Sequence, residues 1–382
     1  MIKLVTVLIF FSSFQILAGT WMQRPSFGGV GRHRATGVAI FNKGYMGLGH
    51  VNGTGVDISY KDWWEYDPAS ASWTQKADFP VAIHGAIAFS VGKKGYVGGG
   101  SYLNGEFYCF DPQTNTWTPI APCPLNPQDH QAFTIGGKGY VYMFSEIVEY
   151  DPLSDSWIQK ADAPVSFSSW SSAFSVGSSG FVKSGSNFLE FKPAQNVWIP
   201  RAQFPGLMSN GSAAFTLEDK GYLTCGFSGG LSNVVNEVWS FNPANNTWTN
   251  EGEFPGTSRR FPVAFAIGNK GYFGTGTNGV NLNDFWEFDL RDLSTEELEL
   301  NVVIYPNPAM DHVKVELDES HFLSLRDPEL QLTDVFGRNV SRSLLVENNT
   351  RLELAELPKG VYFLRILSDG ETRICRTIFI NH

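Results

Sequence analysis

Charge, cysteine and long apolar runs are all scarce in this chain. Only 17% of its 382 residues are charged, and the net charge is −10. Phosphate binding needs clustered Lys and Arg, so nucleic acid is excluded as a partner. The four cysteines, Cys109, Cys123, Cys225 and Cys375, stand apart with no CxxC spacing. That excludes a disulfide scaffold. Cys109 and Cys123 flank one predicted hairpin, but its register should set Cys109 opposite a residue near Pro119, out of reach of Cys123. All four read as buried free thiols. Beyond the N-terminus, no stretch approaches the roughly 20 apolar residues that span a bilayer. Nucleophile-elbow, phosphate-loop and HExxH patterns are also missing.

The first residues, "MIKLVTVLIFFSSFQILAGT", have one Lys, an apolar run from Leu4 to Leu17, then Ala18 and Gly19. This is the shape of a cleaved export signal over 1–19, too short for an anchor. No Cys stands near the cut, which argues against a lipid-modified N-terminus.

What is plentiful is glycine, 39 residues, and aromatic side chains, 14%. That mix suits short strands and tight turns. Two phrases recur. One is "VGKKGYVGGG", with variants centred on Gly44, Gly95, Gly139, Gly180, Gly221 and Gly271. The other is "WWEYDPASASW", whose final tryptophans are Trp73, Trp117, Trp157, Trp198 and Trp248. The glycine steps are 51, 44, 41, 41 and 50 residues, the period of a four-stranded propeller blade. Strand a is apolar and short, and strand b starts at the glycine, which lets sheets approach closely. Strand c alternates, and an Asp-Pro turn leads into strand d at the Trp.

These glycine and tryptophan phrases resemble kelch repeats, which implies a β-propeller over 20–290. The double glycine after the aromatic is complete only at Gly98, Gly99 and Gly100. Tyr142, Met143 and Phe144 replace it in the third repeat, where packing must differ. The sixth repeat breaks off at "FWEFDL" without its Trp. Trp21 stands 23 residues before Gly44, as Trp157, Trp198 and Trp248 stand before their glycines. The N-terminal strand should therefore complete the last of six blades and close the ring, removing two sheet edges.

After a linker over 291–299, residues 300–382 change character, with more charge and alternating strands such as "DHVKVEL". The phrases "YPNPAMD", "LTDVFGR", "LPKGVYFLRI" and "RTIFI" resemble the C-terminal sorting domain of type IX secretion cargo in Bacteroidetes. The resemblance implies a small β-sandwich, engagement of the type IX machinery, removal of this domain, and an extracellular or cell-surface protein.

Loop lengths point to a site. From the strand-b glycine to the turn proline, or to Leu290 in its place, the count is 24, 17, 13, 13, 22 and 19 residues along the six repeats. The strand-d Trp to the next glycine is always 22 or 23. Variation therefore sits in the b–c loops, raising a wall over blades five, six and one. Eleven residues before each glycine stand His33, His84, Gln128, Ser169, Asn210 and Arg260, all polar, where the chain enters the innermost strand. They are expected to ring one mouth of the axial channel, with Arg32, Arg34 and Arg259 beside them. Guanidinium forks suit carboxylates or phosphates. Trp170, one residue past the ring position, is a candidate sugar platform.

The acids opening strand c, Asp62, Glu106, Glu146, Glu237 and Asp284, recur too regularly for a catalytic pair, which needs two different environments. They read as structural acceptors. His33, His84 and His130 start three adjacent a strands, but His130 is two residues out of register, so no metal and no cofactor is expected. Some kelch propellers are copper oxidases or sialic acid mutarotases. The first needs a Cys–Tyr crosslink and two His ligands, which Cys109 and Cys225 do not suit. The reading is a secreted, non-enzymatic protein binding a glycan, acidic by first preference, or a protein. The alternatives are a sugar-active enzyme such as a sialic acid epimerase or mutarotase, and a structural surface protein without ligand.

Overall fold

The computed structural model describes residues 19–53, 55–290, 302–325, 327–368 and 371–381. The export signal, but for Gly19, and the linker lie outside these residues. The chain divides into two units, Met1–Asp292 and Leu293–His382. Among the described residues the regular structure is all strand but for one six-residue helix, Glu319–Ser324.

The first unit holds six four-stranded antiparallel sheets. Their a strands are Thr36–Ile40, Ile87–Val91, Ala132–Ile135, Ser172–Val176, Ala213–Leu217 and Val263–Ile267, which number the sheets one to six. Each a strand packs against the next, and the sixth packs against the first. The all-β arrangement is consistent with a propeller. In sheet six, the d position is taken by Thr20–Arg24, paired with Phe285–Asp289 so that Trp21 faces Phe288.

The strand-b glycines explain how the sheets approach. A Cβ on Gly139 would lie 2.1 Å from the Phe89 ring, and one on Gly180 would lie 2.2 Å from Phe133. Gly44, Gly221 and Gly271 meet Phe265, Phe174 and Phe215 in the same way, and Gly95 meets Ile40. Each glycine is thus a socket for the a-strand side chain of the preceding sheet. Any other residue there overpacks the seam.

The tryptophans tie the outer strands. The indoles of Trp117, Trp157, Trp198 and Trp248 donate to the carbonyls of Ala77, Ala121, Ala161 and Ala202 on the preceding sheet, at 2.8–3.0 Å. Trp73 donates to Pro25 at 3.1 Å, just beyond the N-terminal strand. The backbone N–H groups of those four alanines go to Asn115, Asp155, Asn196 and Asn246. These four residues sit in the left-handed region at the c–d turns, where Asn and Asp are tolerated best.

Sheets three and four, with the shortest b–c loops, fill the position equivalent to Gly98 with long side chains. Tyr142 donates or accepts at Ser171 Oγ, 2.9 Å away. Buried Lys183 caps the carbonyls of Met208 and Ser209 and lies over the Phe204 ring. In sheet one the b–c loop carries its own ribbon, His50–Gly53 paired with Val56–Ser59.

The cysteines are free, with Cys109 opposite Thr118. Cys123 and Cys225 are buried, whereas Cys109 is half-buried and Cys375 is exposed, so burial covers only part of the set. Cys375 follows from its strand alternation, which puts its neighbour Ile374 inside.

In the second unit, a three-stranded sheet (Val302–Tyr305, His312–Leu317, Asn349–Glu353) and a four-stranded sheet (Asn339–Leu344, Glu329–Asp334, Gly360–Ser368, Glu371–Ile380) share one core. Val313 and Val315 come from the first, and Leu332, Leu364 and Ile378 from the second. Asn307 of the "YPNP" phrase donates to Thr377 O at 2.8 Å and accepts from Phe379 N at 2.9 Å. The first and last phrases of the tail therefore meet.

Candidate functional site

The chain enters each a strand through a left-handed turn. Arg34, Gly85, Asp129, Trp170, Gly211 and Phe261 occupy it, with φ of 52°, 66°, 57°, 65°, 71° and 58°. Their backbones link sheet to sheet: Gly85 N to Arg34 O, Asp129 N to Gly85 O, Trp170 N to Asp129 O, Gly211 N to Trp170 O and Phe261 N to Gly211 O. Glycine suits this conformation, and other residues meet a cost of about 1–2 kcal/mol. Four of the six positions nevertheless carry large side chains.

Those side chains pair across the two glycines. Arg34 forms a two-pronged ion pair with Asp129, its Nε 2.6 Å from Oδ1. The pair spans Gly85, where a Cβ would sit 2.4 Å from Asp129 Oδ1. On the other side Trp170 packs at a tilt against Phe261, centroids 5.2 Å apart, across Gly211. A cavity of about 150 Å³ is lined by these residues and by the Gly37, Ala88, Ala132, Ala173, Ala214 and Ala264 positions of the a strands. Its mouth is thus half ionic and half aromatic, over a wall of small apolar residues.

The titratable groups lining this cavity are engaged. Both Asp129 oxygens go to Arg34. His130 donates through Nδ1 to Gln128 O at 2.8 Å, and its Nε2 accepts from Phe144 N at 3.4 Å.

The expected polar ring is displaced by one residue. His33, His84, Gln128, Ser169, Asn210 and Arg260 stand just outside the turn residues and do not line the cavity. Arg34 and Trp170 do. The residues missed were Asp129 and Phe261. The signal was available in the row ten residues before each glycine, whose two glycines mark crowding near the axis.

Arg32 and Arg259 do not join a ligand-facing arc, because both are buried in equivalent ion pairs. Arg32 grips Asp62 with both prongs and Arg259 grips Asp284 likewise. Each Asp also accepts an indole N–H at 2.8 Å, from Trp64 and Trp286 respectively. Glu237 accepts from Leu207 N and Met208 N. These acids hold loops in place, as their repetition implied.

Arg260 differs from its neighbour. Among the described residues it forms no ion pair. One guanidinium nitrogen donates to Leu231 O at 2.6 Å, in the b–c loop of sheet five. Its Nε is buried without an acceptor, and its Cζ lies 5.6 Å from the Phe261 ring centre. Burial pushes its pKa down, as expected for a cation partly stripped of water. Trp170 Nε1, buried as an atom, also lacks an acceptor. Asn210 donates to Ser168 Oγ at 2.9 Å.

Beside Arg34, three imidazoles stack. His50, a residue the sequence did not single out, lies between His33 at 4.3 Å and His84 at 3.9 Å, the planes within 19° and 22° of parallel. All three are buried. Burial, then the neighbouring imidazole, lowers the His33 pKa to about 3 and the His50 pKa to about 4. Burial and then Arg34 lower that of His84. Near-parallel rings point their nitrogen lone pairs along parallel planes rather than at one ion. Among the described residues no group of three or more His, Cys, Asp or Glu is placed to hold a metal ion.

The comparisons with known proteins bear on each unit. No curated protein matches the chain. The solved structure of YjhT is similar at a TM-score of 0.60 with 17% sequence identity, covering 71% of this chain and 98% of that one. At that identity the likeness is one of fold. Residues 303–381 match the family model described as the secretion system C-terminal sorting domain. The tail is therefore a type IX sorting domain, which engages that secretion machinery and marks the protein for export to the cell surface or beyond.

Proposed function

We propose that this protein is a secreted binding protein, built as a six-bladed kelch-type propeller over 20–290 with a sandwich-like sorting domain over 300–382. An N-terminal signal takes it across the inner membrane. The type IX tail takes it across the outer membrane and is then removed. The b–c loop face of the propeller binds a glycan outside the cell, and an acidic sugar is the first choice.

One observation carries the reading. Among the described residues Arg260 has no carboxylate partner and an unsatisfied Nε, and it lies against Phe261 beside Trp170. Its neighbour Arg259 already supplies the structural ion pair that Arg32 supplies in sheet one. An unpaired guanidinium suits a carboxylate or sulfate group, and flat aromatic faces suit the apolar side of a sugar ring. A non-enzymatic role is supported by the cavity, where Asp129 and His130 are committed to Arg34, Gln128 and Phe144. General acid–base work needs a group free to exchange a proton with substrate.

The test is a glycan array with wild type and Arg260→Ala. Loss of signal on uronic-acid or sulfated glycans in the variant is expected. Equal binding by both proteins removes the assignment. Mutarotation of fresh sialic acid anomer, followed by NMR, checks the sugar-enzyme alternative: catalysis lost with Arg260 or His84 substitution would favour it.

A further inference from the structure

We propose that His33, His50 and His84 form a proton-operated latch, which holds the ribbon His50–Gly53/Val56–Ser59 on the loop face when neutral and releases it when protonated. As regulation of ligand access this rests on the binding reading above. The latch itself does not.

The three rings come from three separate segments. His33 and His84 lie where the chain enters the a strands of sheets one and two, and His50 opens the ribbon. Besides the stack, the ribbon's base is held by a backbone pair, His33 N to His50 O at 3.1 Å and His50 N to His33 O at 2.9 Å, and just outside it Gly49 N donates to Ile83 O and Ile83 N to Tyr60 O. His33 Nδ1 also donates to His50 O at 3.0 Å. His84 Nδ1 sits 3.0 Å from Ser59 Oγ, on the ribbon's second strand and opposite His50. The ring contacts thus bind both ribbon strands to two neighbouring sheets.

The stack is built for neutral imidazoles. Among the described residues neither nitrogen of His50 has a hydrogen-bond partner, and the carboxylate that favours an added proton there, Asp57, belongs to the ribbon itself. Two positive and two negative side chains face the stack. Arg34 faces all three rings, and Arg260 faces His33. The acids are Asp57, 3.8 Å from His50 Nδ1, and Asp129, which faces His84. Asp57 is 74% exposed and rides on the ribbon itself. Asp129 is committed to Arg34. A protonated stack would set like charges about 4 Å apart with two arginines alongside, a repulsive arrangement.

The sign follows from linkage. In the closed ribbon the three pKa values lie below the ordinary value. Once released into water they return to about 6.5. Below that pH the open form binds more protons, so acid favours opening. At neutral pH both forms are uncharged at these rings, and the ribbon stays down. Val56 and Ile58, both exposed, move with it.

Hydrogen exchange on the full chain tests this directly, with no ligand present. Protection is measured for ribbon amides relative to those of Ile87–Val91, corrected for intrinsic exchange, at pH 7 and pH 5. On the order of thirtyfold loss of relative protection is expected for release of His33 and of His50 each, with a further loss from His84. In His50→Phe the ring contact is kept without a titratable nitrogen, and the loss should shrink at least about tenfold. An unchanged ribbon in wild type, or an equal loss in the variant, overturns the latch. Should the variant fail to fold, NMR titration of the wild-type imidazoles decides. Two rings titrating below pH 5 support the proposal, and three titrating near 6.5 overturn it. Failure of Arg260→Ala to alter glycan binding would leave all these readouts untouched.

Discussion

Trp21 lies opposite Phe288, 267 residues later in register across an antiparallel pair, with ring centroids 4.8 Å apart. Its indole also meets Phe254 edge-on at 5.0 Å and Phe273 at 5.8 Å. A single N-terminal side chain thus joins sheet six to the seam with sheet five. Trp21→Ala should cost about 3 kcal/mol, the low end for an aromatic truncation because the ring is half-buried. Deleting residues 20–27 removes the strand and the Pro25 carbonyl that receives Trp73, and should lower the melting temperature far more. An unchanged melting curve for the deletion would refute closure.

The glycine sockets make a second prediction. Gly180→Ala brings a Cβ to 2.2 Å from the Phe133 ring, and overpacking of this kind costs about 1–3 kcal/mol. Combining it with Phe133→Leu should recover part of that loss. A purely additive double mutant in urea denaturation would deny the contact.

Arg259 and Arg260 are adjacent in sequence but should respond oppositely. Arg259→Ala strands Asp284 and should cost about 3 kcal/mol, since the arginine is fully buried while the aspartate keeps some exposure. Arg260→Ala should leave stability within about 0.5 kcal/mol. Its effect should appear in affinity for an anionic sugar, about tenfold to hundredfold for one charge-assisted hydrogen bond. Calorimetric melting and titration on the same two proteins separate these outcomes.

Lys183 predicts a pH dependence. Burial lowers its pKa from 10.5 to about 7. Between pH 7 and about 9 the unfolded lysine keeps a proton that the folded one sheds, so stability should rise with pH in that window. Below pH 7 both states are charged at this group and its contribution is flat. In Lys183→Met the rise should vanish, which urea midpoints at pH 7, 8 and 9 would reveal.

Much of the architecture was legible because each repeat carries its own constraints. The glycines had to admit Phe89 or Phe133 from a neighbour, and the tryptophans had to reach a carbonyl on the preceding sheet. Both needs recur once per sheet, so both survive as periodic letters. The site was less legible for the opposite reason. Arg34 and Asp129 meet across Gly85, and Trp170 meets Phe261 across Gly211, in pairings that skip a sheet. Such pairings leave no period. The division between Arg259 and Arg260 depends on which way each side chain turns, and adjacent letters in one strand entry do not encode that. His50 lay in a loop of unique length and had no equivalent with which to be aligned.

The pairing of Thr20 with Asp289 also sets an order of events. The strand made first among the ring strands cannot find its partner until the strand made last has appeared. Every shorter chain leaves two raw sheet edges, the usual starting points of aggregation. The sorting domain, matched over 303–381, follows that closing strand in the sequence. A chain that shows the export machinery its tail therefore already contains everything needed to shut the ring, and the address label doubles as proof of a finished product.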